Sequence, residues 1–502
     1  MSAADPSRDP APELIVDRRS LWRVVLARTQ SWLAMAFALA VFIWLLVASP
    51  FQGLDPNGQR TLAVFAICVI CWVTQAIPLS VTGLLALVLL PLCTDMEASV
   101  AFSLFGNRAV FFILGAFIIS AAVMQSGLST RIAIILLERV GTTPWRLMLG
   151  VFLLAAGLAH LMPEHAVAAM LLPVIIEIAR ALGLPRGRSR MGAGLFLAIA
   201  WGSIIGGIAT FLGGARAPLA LQLLRNNTSQ MDADGRVIPG TEMSIGFIEW
   251  WIASLPLVAL ASLGAVTVLW LFFRPEIQST EAARTLLRER LRLMGRATLE
   301  ERVIGVVVIA TIIGWIFGEH VGLDLSVVAL LGAVALFVLG VISWRAVEEH
   351  VNWGVILMYG GAIALGQAMH TTGAAEHLAS VFISDRILQS PTLTLALLAL
   401  IALILTEGMS NSAVVAVLLP VGLDLAPRIG AEGVDPRLVV YAITLPAGLA
   451  FTLPISSPPN ALAHSTGFVR MRHVFLRGPL LNVICFVAFL LVVTLWWPHL
   501  VK

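Results

Sequence analysis

Fifteen apolar runs follow one another along this 502-residue chain, and two of them stop at polar residues only to resume at once. The runs lie at about 31–50, 61–74, 77–92, 109–126, 147–162, 166–182, 191–212, 246–273, 303–318, 325–343, 353–369, 392–407, 411–426, 438–455 and 479–497. A helix needs about 20 residues to cross roughly 30 Å of hydrocarbon, so some of these runs span and others fall short. The short ones are the informative ones. Runs 147–162 and 392–407 each end in a polar cluster, with an apolar run directly after. Non-helical backbone at membrane depth is stable only where protein covers it or where it lines a site. Composition agrees. Only 12% of residues are charged and 59% are hydrophobic, against roughly 25% charged in a soluble domain. No soluble core hides that much apolar surface. The partner these numbers require is the lipid bilayer.

The net charge of +3 is small and the Arg residues sit in short loops, which argues against a nucleic-acid partner. Cys68 and Cys71 have a C-x-x-C spacing, but the text between them is Val-Ile inside an apolar run, where neither disulfide nor zinc is needed. Residues 1–30 are polar and the first apolar run is too long for a signal peptide, so the reading is a multi-pass protein with a cytoplasmic N-terminus. Arg18, Arg19, Arg23 and Arg28, the Arg186–Arg190 loop, and the 274–302 segment with seven Arg and five Glu are all expected on the cytoplasmic side. The closing Trp496-Trp497-Pro498-His499 reads as an interfacial aromatic anchor on the periplasmic side.

The chain is also internally duplicated. Pro163-Glu164-His165 leads through Ala-Val-Ala-Ala-Met-Leu-Leu to Pro173, and Ser410-Asn411-Ser412 leads through Ala-Val-Val-Ala-Val-Leu-Leu to Pro420. A second pair follows in the same order, Gly206 to Ala217 and Phe451 to Asn460, at intervals of 51 (Pro163 to Gly214) and 47 (Ser410 to Ser457) positions. Paired halves with helices broken at equivalent depth are what alternating-access carriers need.

Thr406-Glu407-Gly408-Met409-Ser410-Asn411-Ser412 resembles the second Ser-Asn-Thr signature of the divalent anion/sodium symporters, and Leu453-Pro454-Ile455-Ser456-Ser457-Pro458-Pro459-Asn460 resembles that family's second Thr-Pro-Pro-Asn signature. The resemblance covers about residues 55 to 500 and implies dicarboxylate, citrate or sulfate as substrate. It also implies a homodimer working as an inverted-repeat elevator-type transporter with two re-entrant hairpins. The fold class expected is therefore an all-α polytopic membrane protein with about 11 crossings. By the same resemblance Ser410, Asn411 and Ser412 form the second hairpin tip. Thr406, the Met409 backbone and the Ser456 backbone complete a sodium site with Asn411, and Ser457 and Pro458 line the anion site. The chemistry suits these residues: hydroxyls, an amide oxygen and freed carbonyls ligate sodium, while Ser and Asn donors at a helix start hold an anion.

On this scheme 1–30 is the cytoplasmic segment and 31–108 the first-half scaffold. Residues 109–245 form the first-half transport region with its tip near 163–165. The second-half scaffold is 246–345 with an interfacial arm at 274–302, the second transport region is 346–478 with its tip near 410–412, and 479–502 is a final scaffold helix.

The first half departs from the pattern. Pro163-Glu164-His165 stands in place of Ser-Asn-Thr, and Gly214-Ala215-Arg216-Ala217 in place of Thr-Pro-Pro-Asn. Three ionisable residues in apolar text are expensive unless paired or wet. Three readings are open. Arg216 supplies a permanent charge where the first sodium would sit, balanced by Glu164; or Glu164 and His165 titrate and couple transport to protons; or Glu164 and Arg216 form a structural ion pair with His165 beside it. Either Arg216 or His165 binds the far end of a dicarboxylate, or the substrate is compact, like sulfate.

Sodium-coupled symport of a divalent anion is the leading expectation, with proton-coupled symport or uncoupled exchange as alternatives. A membrane enzyme fits poorly, because adjacent Glu164 and His165 do not share a helix face. Among lesser candidates, Asn107 and Arg108 read as a cap or anchor, Glu177 as an i,i+3 partner of Arg180, and Gly360-Gly361 as a close helix contact. Glu407, the only charge between 391 and 420, is either functional or a structural hydrogen-bond acceptor. His160, Gln367, His370 and His377 show no convergent partner and read as interfacial or packing residues.

Overall fold

A computed structural model describes residues 21–51, 53–229, 241–382, 384–453 and 456–500, leaving aside the side chains of 21–28, 319, 382 and 385. The expected cytoplasmic stretch up to residue 20, residues 230–240, and Pro454 and Ile455 lie outside the described residues.

Every regular element among the described residues is helical. Six helices are long and apolar enough to cross a membrane: Thr29–Ala48, Pro56–Thr74, Ala98–Gln125, Phe247–Phe272, Pro391–Gly408 and Met471–His499. Four shorter apolar helices, Leu79–Cys93, Pro144–Ala159, Arg190–Gly206 and Leu325–Val338, accompany them. Four of the five domain boundaries read from the sequence fall inside helices, 30/31 within Leu21–Ala48, 108/109 within Arg108–Gln125, 345/346 within Trp344–His350 and 478/479 within Met471–Leu495. The last of these helices starts early because charge does not stop it: Arg477 lays its guanidinium over the Phe272 ring, 5.1 Å from the centroid.

Each half contains two interrupted helices. In the first, Pro144–Ala159 breaks and restarts as Glu164–Ala181, and Arg190–Gly206 breaks and restarts as Arg216–Thr228. In the second, Pro391–Gly408 restarts as Asn411–Leu425, and Pro436–Thr444, extended by a turn at Pro446–Gly448, restarts as Pro458–Ser465. The register is the same in both hairpins: Pro163 and Ser410 are the caps, and Pro173 and Pro420 are the tenth residues of the helices that follow. Thr143 and Ser390, each followed by a proline in the first turn, cap the incoming arms. The halves interlock, since Arg216–Thr228 packs on Asn411–Leu425 while Pro458–Ser465 packs on both Glu164–Ala181 and Arg190–Gly206.

Gly361 confirms the close contact expected at 360–361. A Cβ there would lie 2.0 Å from the Gly83 carbonyl oxygen, so the helices Leu79–Cys93 and Trp353–Thr371 meet backbone to backbone.

The arm forms the helix Glu281–Met294, which buries Ala283 and Leu287 and leaves most of its Arg residues outside. Thr280 Oγ1 donates to the Gly141 carbonyl at 2.7 Å, and Arg288 Nε lies 2.8 Å from Glu138. Glu276 accepts from the backbone N–H groups of Arg190 (2.7 Å) and Met191 (2.9 Å). Its partial burial pushes the carboxyl up, but those bonds and Ser189 outweigh it and hold Glu276 below the usual carboxylate range. The Arg-rich 186–190 loop and the arm therefore share one face. Glu177 does not pair with Arg180 as expected; it pairs with Arg290 of the arm, because the arm crosses the end of that helix. The arm is closed off by Arg131, whose buried guanidinium grips both Glu301 oxygens at 2.9 Å and the Gly295 carbonyl at 2.7 Å.

The expected terminal anchor is also corrected in part. Trp497 is buried against Tyr441 and Phe489 and donates to the Ala253 carbonyl at 3.1 Å, so it is a packing residue, while Trp496, Pro498 and His499 stay exposed.

Candidate functional site

All four breaks open onto one cavity of about 470 Å³. Pro163, Glu164 and His165 reach it from the first hairpin, Gly214, Ala215 and Arg216 from the first interrupted helix, Ser410, Asn411 and Ser412 from the second hairpin, and Ser456, Ser457 and Pro458 from the second interrupted helix. Gln75, Leu79, Phe117, Asn352, Val355 and Ala461 complete the wall. Each of the eight residues assigned from sequence to the anion lines this space. Residues from 163 to 458 meet here because each restarted helix begins at the cavity. Four helix N-termini, at Glu164, Arg216, Asn411 and Pro458, thus converge on it, and each brings a partial positive charge. The Pro458-Pro459 start has no N–H on its first two residues, and the Glu164 N–H is taken by the Gly213 carbonyl, so the free first-turn N–H groups include those at Arg216 and Asn411 and that of His165. Such an arrangement favours an anion.

The second-half break collects uncharged oxygens. Thr406 Oγ1 lies 2.8 Å from Asn411 Oδ1 and 2.6 Å from the Ala447 carbonyl oxygen. Hydroxyl, amide and carbonyl oxygens gathered in this way are the uncharged donor type that ligates a small hard cation. Met409 is buried within the break rather than lining the cavity, and Ser456 lines it while its hydroxyl donates to the Leu453 carbonyl at 2.6 Å. Ser457 Oγ is buried with no hydrogen-bond partner among the described residues.

Sequence reasoning missed Ala447, whose carbonyl is freed by the Pro446–Gly448 turn. The Pro-Ala-Gly triplet was the available signal. Glu407 proves to be a structural acceptor. Its carboxylate takes the N–H groups of Phe451, Thr452 and Leu453 at 2.9–3.1 Å and the Asn482 amide at 2.6 Å, satisfying backbone that the broken helix leaves bare.

The first-half break is built on charge. Arg216 Nη1 lies 3.2 Å from Glu164 Oε2, both side chains being buried, and Asn411 Nδ2 donates to Glu164 Oε1 at 3.4 Å. The Glu164 N–H donates to the Gly213 carbonyl at 2.9 Å, tying the tip to the neighbouring break. His165 does not pair with Glu164; it is half-buried with its ring edge-on to Phe117.

Outside the cavity, Asn107 caps its helix through Ala109 and Val110, and Arg108 pairs with Glu242 at 3.0 Å. His370, expected to lack a partner, sits 2.6 Å from Asp424 with Asn227 bonded to both, because the ends of three helices meet there. Nothing local in the sequence signals that cluster. Cys68 and Cys71 are buried free thiols.

Paired interrupted helices in an apolar helical bundle, with their restarts around a single anion-suited cavity, are the architecture of a secondary transporter. The chain belongs to the family described as the sodium:sulfate symporter transmembrane region, which matches residues 29–502. It is 27% identical over 481 residues to the sodium-dependent dicarboxylate transporter SdcS of Staphylococcus saprophyticus, covering 90% of this chain and 89% of that one. It is 28% identical over 472 residues to the protein of the same name from Staphylococcus aureus strain MW2, covering 88% and 86%. Its fold resembles the YdaH transporter of Alcanivorax borkumensis, described as having an unusual topology, with a TM-score of 0.51 at 16% identity over 84% of this chain and 99% of that one. The family is one of transporters rather than enzymes.

Proposed function

We propose that this protein carries a divalent anion across a bacterial membrane together with sodium, by alternating access around the cavity at the four breaks. The observation that supports this reading best is the convergence of four helix N-termini from both halves on one space. The anion takes the N–H groups at the restarts together with Ser410, Ser412 and Ser457. Sodium sits among Thr406, Asn411 and the Ala447 carbonyl, with the Met409 and Ser456 backbones nearby. Cation and anion then sit on opposite sides of one hairpin tip, so each lowers the cost of the other's burial. An anion alone meets an incomplete field, which is the physical basis of coupling. The names of the relatives favour a dicarboxylate; the family description keeps sulfate as the comparison substrate. The working unit on this reading is a homodimer in which the paired breaks move together against the remaining helices.

The test is uptake of labelled succinate and labelled sulfate into proteoliposomes, with sodium replaced by choline at fixed pH and no proton gradient. Succinate uptake should fall to background without sodium. Uptake that continues in choline refutes sodium coupling, and faster sulfate than succinate uptake reverses the substrate preference.

A further inference from the structure

Thr406, Asn411 and the Ala447 carbonyl form an uncharged oxygen set in the second half, while the first half places a guanidinium and a carboxylate at its own break. Glu164 and Asn411 are counterparts, each being the first residue of the helix that leaves its hairpin tip. We infer that Arg216 is a tethered cation: its guanidinium takes the place of a co-transported sodium in the first half, so one sodium accompanies each anion. This rests on the sodium-coupled reading above.

Three glycines make the room. A Cβ on Gly214 would lie 2.4 Å from Arg216 Nη1, one on Gly448 would lie 2.5 Å from Arg216 Nε, and one on Gly207 would lie 2.7 Å from Glu164 Oε2. Gly214 and Gly207 belong to the first-half break, while Gly448 lies in the second-half turn beside Ala447. The Arg216 side chain therefore crosses from one break to the other through space that only bare backbone leaves open. Its charge is permanent, since guanidinium does not deprotonate in a protein. A sodium ion approaching Glu164 would meet this fixed like charge at ion-pair distance, and it would find one carboxylate oxygen already held by Arg216 and the other by Asn411. Arg216 Nη2 is buried and has no hydrogen-bond partner among the described residues. Arg216 and Ser457, the latter also carrying an unpartnered buried polar atom, line the same cavity. The tethered cation thus keeps one donor unspent beside the cavity that Arg216 lines.

The experiment is a flux-balance measurement in proteoliposomes at clamped zero potential. With one sodium per anion, a tenfold succinate gradient is balanced by an opposed tenfold sodium gradient; with two, the balance falls at about threefold. Wild type should balance at tenfold, and Arg216→Lys should do so too at a lower rate. A threefold balance in wild type overturns the inference. Absence of any sodium gradient that balances flux refutes sodium coupling itself, a different failure. The double variant Glu164→Asn with Arg216→Ala removes both charges and opens the first-half space. Labelled sodium bound to the purified protein should rise from one ion per chain in wild type to two in this variant, whether or not it transports. A variant that is monodisperse and still binds one ion shows the pair to be structural and overturns the inference.

Discussion

The two hairpin tips start from equivalent cap positions, Pro163 and Ser410, turn into helices of the same register and face the same cavity, yet they are held together by different physics. The second tip is neutral: hydroxyl, amide and carbonyl oxygens close around Thr406, and its one nearby charge, Glu407, points away to bind backbone N–H groups. The first tip is ionic, with Glu164 and Arg216 buried against each other. A neutral oxygen set is incomplete until an ion arrives and can release it again, whereas a buried ion pair is complete already and resists separation. On the function proposed above, one duplicated scaffold yields an exchangeable site on one side and a fixed charge on the other.

The largest effect should come from splitting the fixed pair without replacing it. Glu164→Gln leaves the Arg216 guanidinium buried and unpaired, at a cost of roughly 3–5 kcal/mol. The expected result is loss of uptake together with a clearly lower unfolding temperature in detergent. Unchanged thermal stability would mean that the two tips do not differ in the way described. Next is a matched comparison of hydroxyls. Thr406→Ala removes the centre of the neutral set and should raise the sodium concentration for half-maximal uptake about tenfold, or ~1.4 kcal/mol. Thr210, in the first-half break, bonds the His160 carbonyl at 2.7 Å and the Leu212 N–H at 3.2 Å. Thr210→Ala should cost about 1 kcal/mol of stability and leave the sodium dependence where it was. Equal sodium shifts in the two variants would erase the contrast between the halves. The smallest effect is expected on the exposed arm: Glu177→Ala removes a half-exposed partner of Arg290 and should change stability by under about 1 kcal/mol, with uptake unaltered.

Much of this was legible in the primary structure. Polar interruptions in apolar text marked both hairpin tips, and the repeated Ala/Leu text with its closing proline aligned them, so Glu164 and Asn411 were recognisable as counterparts. The site residues were legible for the same reason: a membrane chain has few polar side chains, and those at breaks have somewhere to go. The partners were less legible. Glu177 had Arg180 one turn away, but Arg290, 113 positions on, takes it. His370 had no visible partner until three helix ends brought Asp424 and Asn227 to it. Trp497 carries the composition of an interfacial anchor, and only packing against Phe489 and Tyr441 makes it a core residue.

The sequence by itself determined membrane residence, the positions of the breaks and the register of the two halves, because hydrophobicity and helix interruption are local properties of a few consecutive residues. The tertiary structure decided which charges meet: it brought together Glu164 and Arg216, one of the pairings the sequence left open, and gave Glu177 a partner, Arg290, that the sequence did not offer. Arg216 and Glu164 are 52 positions apart, and Asn411 reaches Glu164 across 247. Such contacts depend on how whole helices pack and on glycines that let a side chain pass, and no local pattern encodes them.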